Sequence, residues 1–170
     1  MYADDPRTDI IRIGHRPDLE RAQLREERMD RSGYHLARFL TAQERDYAAA
    51  LREIRSGRKR SHWIWYIFPQ LRDLGHSETA KYYGIKDLDE AKAYLTEPTL
   101  RARLIEISEA LLSLREDDPR TVMGYPDDLK LRSSMTLFAA ADPEEPVFGQ
   151  VLDKFFNSRP DQRTLDLIGR

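Results

Sequence analysis

The sequence predicts an all-α fold: a single compact domain of six or seven short helices behind a charged N-terminal extension. Three observations lead there. Apolar residues recur three or four apart in several separate segments. Pro, Ser, Asp and Gly fall where helices start and stop. No segment shows sustained period-two alternation with hairpin turn residues.

Residues 1–35 form the extension, rich in Arg, Asp and Glu and poor in large apolar side chains. Pro17 and Asp18 mark a helix start and Gly33 a stop, with Leu19, Ala22 and Met29 as a thin apolar stripe. The segment reads as a tail and a solvated helix, with a partner-binding arm as the alternative.

Residues 36–170 form the domain. Phe39, Leu40, Tyr47, Leu51 and Ile54 recur at helical spacing, and Gly57 suits the end of that helix. Thr41 and Glu44 have the spacing of a capping box. Ser61 is placed to cap a short helix whose length Pro69 limits. Ser77 and Gly84 bracket "ETAKYY", and Asp87 caps "LDEAKAYL", with Ala91, Tyr94 and Leu95 as its stripe. Pro98 suits a first helical turn. Leu100, Leu104, Ile107, Leu111 and Leu114 then form the clearest amphipathic stripe in the chain. Pro126 starts "DDLKLRSSMTLFAAA", and Pro146 precedes Val147, Val151 and Phe155, which step by four. Thr164 to Ile168 is a last turn or two. Short connections favour antiparallel neighbours around one core.

Composition narrows the function classes. Of 170 residues, 40 % are hydrophobic and 34 % charged, as in a soluble globular chain with a charged surface. The net charge of −2 gives no general attraction to nucleic acid or acidic membranes, so neither is expected as a partner. The absence of cysteine removes disulfides, thiolate catalysis and Cys-ligated metals. "MYADDPRTD" is no secretory signal, and no apolar run is long enough to span a bilayer. A cytoplasmic location is expected; the oligomeric state is open.

Two stretches carry the candidate chemistry. "SHWIWYIFPQL" concentrates Trp63, Trp65, Tyr66 and Phe68 behind a basic run, "RSGRKR". A helix with six consecutive large apolar residues has no solvated face, so the segment belongs at the centre of the fold. Its aromatics serve either as core or as a pocket wall that stacks on a flat ligand. His62 either transfers protons or caps a carbonyl at the core's edge. Gln70 opens a polar loop leading to Gly75 and Ser77 at a helix start, a place suited to anions. The basic run complements a helix C-terminus as well as it would a nucleic acid.

The second stretch is "DDLKLRSSMTLF". Lys130, Ser133 and Ser134 share a helix face. Anion binding by Lys130, Arg132 and Ser134, a structural role, and a Ser–Lys nucleophile pair are the competing readings. The acidic pairs Glu116–Asp118 and Asp127–Asp128 read as loop and cap residues. His15, His35, His62 and His76 have no metal-ligand spacing, so neither a metal nor a cofactor is expected.

Three blocks, "GRKRSHWIWYIFPQLRDLGHS", "YYGIKDLDEAKAYL" and "DDLKLRSSMTLFAAA", together resemble the bacterial family of domain of unknown function 1810, from about Leu36 to Leu167. Arg60 and Ile64 stand where that family often has Thr or Lys, and Met. The resemblance implies an all-α fold and says which blocks define the family. Some members carry the label calpastatin; such inhibitors are disordered repeats, whereas this chain encodes a packed helical domain. The polar residues of the blocks, His62, Gln70, Lys130, Arg132 and Ser134, are expected to meet beside Trp63 and Trp65. That grouping suits a small anionic, ring-containing ligand such as a nucleotide or an ADP-ribose derivative, by analogy with other helical proteins. A non-catalytic interaction domain is the alternative.

Overall fold

The computed structural model describes residues 33–170. The proposed helix start at Pro17 and Asp18 and its stripe lie outside the described residues. The chain divides into two units, Met1–Arg38 and Phe39–Arg170. Of the first, residues 33–38 are described, and they supply the start of the first helix. The second unit is helical, as the apolar periodicity predicts.

Among the described residues there are nine α-helices, several of only one or two turns: α1 (Ala37–Arg55), α2 (Ile64–Ile67), α3 (Glu78–Tyr83), α4 (Leu88–Thr96), α5 (Pro98–Leu112), α6 (Pro119–Met123), α7 (Asp127–Ala141), α8 (Val147–Phe156) and α9 (Gln162–Leu167). The helix α6 and a 3₁₀ turn at Arg72–Leu74 had no apolar stripe long enough to announce them. No described helix is long and apolar enough to cross a membrane.

Local chemistry sets most boundaries. Ser77 accepts from the Ala80 amide (3.1 Å), Asp87 from Glu90 (2.9 Å) and Glu97 from Leu100 (2.7 Å), each satisfying a free N–H of a first turn. Pro98 and Pro119 occupy first helical positions. Helix α1 carries Arg52 and Arg55 in its last turn and ends before Gly57, whose φ of 88° suits a residue without Cβ. Helix α5 stops at Leu112, so Leu114 falls outside it. There the Lys154 ammonium donates to the carbonyls of Leu111 (3.2 Å), Leu112 (3.0 Å) and Leu114, a lysine cap supplied by α8.

Two expected caps are not formed. Helix α1 begins at Ala37, so Thr41 and Glu44 lie within it rather than at its start. Phe39 and Ala42 are buried, and this apolar face carries the helix through the polar pair. Ser61 does not cap α2; the position before that helix is Trp63, with no side-chain cap bond. The Ser61 hydroxyl is taken by Glu53 instead (2.5 Å).

A row of aromatic rings runs through the core. Phe39 of α1 meets Tyr94 of α4 edge-on (centroids 5.1 Å apart). Tyr94 meets Phe138 of α7 at 5.1 Å, and Phe138 meets Phe148 of α8 at 5.9 Å. Such pairs add about 0.5–1.5 kcal/mol each beyond area burial. Helix α7 buries Leu131, Met135, Leu137 and Phe138 and packs against α2, α4, α6, α8 and α9.

Past the aromatic segment the chain makes one close crossing. Leu71 and Ile85 form an isolated parallel bridge, with Arg72 N–H donating to the Ile85 carbonyl (2.8 Å) and Ile85 N–H to that of Gln70 (2.9 Å). Gly84 is required there: a Cβ would stand 2.4 Å from the Arg72 Cα.

Candidate functional site

The aromatic segment is central. Trp63, Ile64, Tyr66, Ile67 and Phe68 are buried, and Trp65 alone of these six is half-buried. Most of the aromatic mass is therefore core. What remains open to a ligand is the Trp65 indole and the polar groups around it.

Glu53, in the last turn of α1, organises the approach to this segment. Its Oε1 accepts the backbone N–H groups of Arg60 (2.6 Å) and Ser61 (2.9 Å) and the indole N–H of Trp63 (3.0 Å). Burial pushes the Glu53 carboxyl up, but the bonds from Ser61, Arg60 and Trp63 outweigh it and hold the group at about 2. The buried indole thus has its one donor satisfied.

Lys59 joins this loop to two helices. Its N–H donates to the Val122 carbonyl in α6 (2.7 Å). Its side chain is 6 % exposed, and its ammonium lies 2.8 Å from Asp127 Oδ2 and 4.9 Å from the centre of the Trp63 ring. Lys130, one turn into α7, shares Asp127 at 3.4 Å and stands 5.4 Å from the centre of the Trp65 ring. One carboxylate therefore serves two lysines, and the buried one holds it closer. Lys130, 26 % exposed, is the less compensated cation.

A further polar set lies on the other flank of the segment. The Tyr66 hydroxyl donates to Asp46, which also pairs with Arg45 (3.1 Å). Burial first, then Asp46, pushes the Tyr66 hydroxyl up to about 12, so it stays protonated. Burial pushes the Asp46 carboxyl up, but the Tyr66 and Arg45 bonds outweigh it and lower it overall. Gln43 is buried and donates to the Tyr66 carbonyl (2.8 Å) and the Tyr94 hydroxyl (3.0 Å). These bonds fix α2 against α1 and α4.

Of the seven residues singled out in the sequence, the structure brings Trp65 and Lys130 into contact, and Trp63 onto the neighbouring Lys59. His62 is exposed beside them; its carbonyl lies 3.3 Å from the Tyr66 hydroxyl, whose proton goes to Asp46, and its imidazole has no hydrogen bond among the described residues. Gln70 is half-buried and its carbonyl is used in the crossing with Ile85. Arg132 is turned elsewhere, gripping the carbonyls of Arg159 (2.8 Å) and Pro160 (3.1 Å). Ser134 is fully buried and its Oγ has no hydrogen-bond partner among the described residues. Its neighbour Ser133 binds Asp161 Oδ2 (2.9 Å) and the Leu129 carbonyl (3.1 Å).

Sequence reasoning missed Glu53, Lys59 and Asp127 as parts of this cluster. Lys59 was visible only as one cation in a basic run, and Asp127 only as a first-turn acid. A cleft of about 230 Å³ lies among Leu71, Asp73, Asp87, Asp89 and Leu167, and it shares no residue with the cluster. No group of three His, Asp or Glu side chains suited to a metal ion occurs among the described residues.

Comparison with known proteins places the chain. No curated protein matches it. A solved structure that is similar is the crystal structure of the conserved hypothetical protein Rv1873 from Mycobacterium tuberculosis, 44 % identical. The match covers 79 % of this chain and 96 % of that one, with a TM-score of 0.78. The model of the family described as "Protein of unknown function (DUF1810)" matches residues 33–168. All three sequence blocks fall inside that span, and the chain belongs to the DUF1810 family.

Proposed function

We propose that the chain binds a small anionic, ring-containing ligand of the nucleotide type at Trp65 and Lys130. The observation that carries this reading is the pairing of the half-buried Trp65 with a cation whose carboxylate is shared with a second lysine. A flat ring stacks on the free surface of Trp65, and a phosphate on that ring supplies the counter-charge Lys130 lacks. His62, exposed on the residue before Trp63, is the side chain available for proton transfer if a reaction follows binding.

The test is differential scanning fluorimetry with a panel of nucleotides and sugar phosphates on wild type, Lys130→Ala and His62→Ala. A ligand near 100 times its Kd stabilises by about 2.7 kcal/mol, a shift of several degrees. The reading requires such a shift for wild type and its loss in Lys130→Ala. No shift with any compound of the panel ends it.

A second reading, a non-catalytic interaction domain, is favoured by a different observation. Tyr125 and Leu129 are 65 % and 47 % exposed, four residues apart at the corner between α6 and α7. Under that reading they anchor a protein partner.

A further inference from the structure

The cleft of about 230 Å³ beside the chain crossing is built from three pieces of chain. The 3₁₀ turn and the residue before it bring Asp73 and Leu71, residues 86–89 bring the start of α4, and the end of α9 brings Leu167 and Ile168. Backbone bonds fix the first two pieces to each other: Arg72 N–H donates to the Ile85 carbonyl, and Ile85 N–H to that of Gln70. The start of α4 is held in turn. Lys86 N–H donates to Glu90 Oε1 (2.8 Å), and Glu90 N–H to Asp87 Oδ1 (2.9 Å). These walls are therefore formed before any ligand arrives, which spares a ligand the cost of ordering them.

The lining carries both signs of charge without pairing them. Asp73, Lys86 and Asp89 are exposed, and none of their side chains makes an ion pair or a hydrogen bond among the described residues. Asp87 is committed to the first turn of α4. What remains is two carboxylates and one ammonium. Arg72, Asp166 and Arg170, nearby along the chain, are not part of the lining. The rest of the lining is aliphatic, from Leu71, Leu88, Leu167 and Ile168. Leu167 is 45 % exposed, apolar surface that the fold itself does not cover.

We propose that this cleft binds a diamino acid, an aliphatic chain with two ammonium groups and one carboxylate. Such a molecule mirrors the lining. Its ammonium groups meet Asp73 and Asp89, its carboxylate meets Lys86, and its methylenes cover the leucines and the isoleucine. The volume suits a ligand of amino-acid size and lies below the range of about 300–1,000 Å³ that larger ligands occupy. The cleft shares no residue with the Trp65–Lys130 cluster, so this site stands or falls independently of the reading given above.

An amide NMR titration of the full chain with lysine, cadaverine and norleucine tests this. Cadaverine lacks the carboxylate, and norleucine lacks the second ammonium. Lysine is expected to give saturable shifts at the amides of Asp73, Lys86, Asp89 and Ile168. It should bind at least about fivefold tighter than either analogue, an effect within reach of one ion pair. Lys86→Gln should remove the preference over cadaverine and leave cadaverine itself no weaker. Asp89→Asn should weaken lysine and cadaverine alike. Both substituted side chains are exposed, and unchanged amide positions outside the cleft show that the variants keep the fold. Cadaverine or norleucine binding as tightly as lysine overturns the proposal. So do shifts that arise only elsewhere in the chain, or none at all up to about 10 mM lysine. Each of these results leaves the reading of Trp65 and Lys130 untouched.

Discussion

The carboxylate of Glu53 holds the indole N–H of Trp63 at 3.0 Å and so ties the last turn of α1 to the first residue of the aromatic segment. The same carboxylate takes two backbone amides and the Ser61 hydroxyl. Glu53→Ala leaves the buried indole donor without a partner. It should cost about 2–3 kcal/mol, the range for losing a charge-assisted bond and stranding a buried group. Glu53→Gln keeps an acceptor and should cost less. Urea unfolding of the three proteins measures both.

The pH dependence follows from the same group. Folding lowers the Glu53 carboxyl from 4.5 to about 2, so the folded chain binds this proton less readily than the unfolded one. The stabilisation is complete above 4.5 and is lost as pH falls through about 2. The melting-temperature gap between wild type and Glu53→Gln should therefore narrow steadily across that window. A gap that stays constant there would mean that Glu53 acts through shape and not charge.

The two lysines that share Asp127 should behave differently. Lys59 is almost wholly buried, and Lys59→Met leaves Asp127 with only its weaker partner and the Ser61 carbonyl with none from this ammonium. A cost of about 2–3 kcal/mol is expected, below that of a fully buried pair because Asp127 is partly solvated. Lys130→Ala should cost less than about 1 kcal/mol. The same Lys130 variant should lose the response to nucleotides. Thermal melts with and without ADP separate the stability effect from the binding effect.

Adjacent serines give a contrast inside α7. Ser133 has two partners, and Ser133→Ala should cost about 1 kcal/mol. The Ser134 hydroxyl is buried with no partner among the described residues, so Ser134→Ala removes an unsatisfied polar group and should be neutral or mildly stabilising. Chemical denaturation of both variants decides this. A large loss in Ser134→Ala would reveal a bond to that hydroxyl.

Helices with a strong stripe or a good cap were legible in the sequence. Leu100, Leu104, Ile107 and Leu111 predicted α5, and Ser77, Asp87 and Pro98 each stand where they cap or begin a helix. Thr41 misled because capping spacing is local, while burial of Phe39 and Ala42 depends on partners distant in sequence. The site was half legible. The contact of Lys130 with Trp65 agrees with the grouping expected from the family blocks that hold them. That Arg132 turns to residues 159 and 160 was not legible, because nothing in "KLRSS" says which neighbour lies on which side of the helix. Glu53 was invisible for the same reason: its four bonds go to a loop whose path the helix pattern does not encode.

To a protease that cuts after basic residues, "RSGRKR" is not a uniform target. Cleavage needs the basic side chain to leave its place and extend into the enzyme's own pocket. Arg58 and Arg60 are exposed and offer themselves. Lys59 does so only by abandoning Asp127, the Ser61 carbonyl and the face of Trp63 together. All three bonds are held at the backbone, by the Val122 carbonyl and Glu53, but only at Lys59 must a buried side chain be freed as well, so the bond after Lys59 should be the last of the three to be cut.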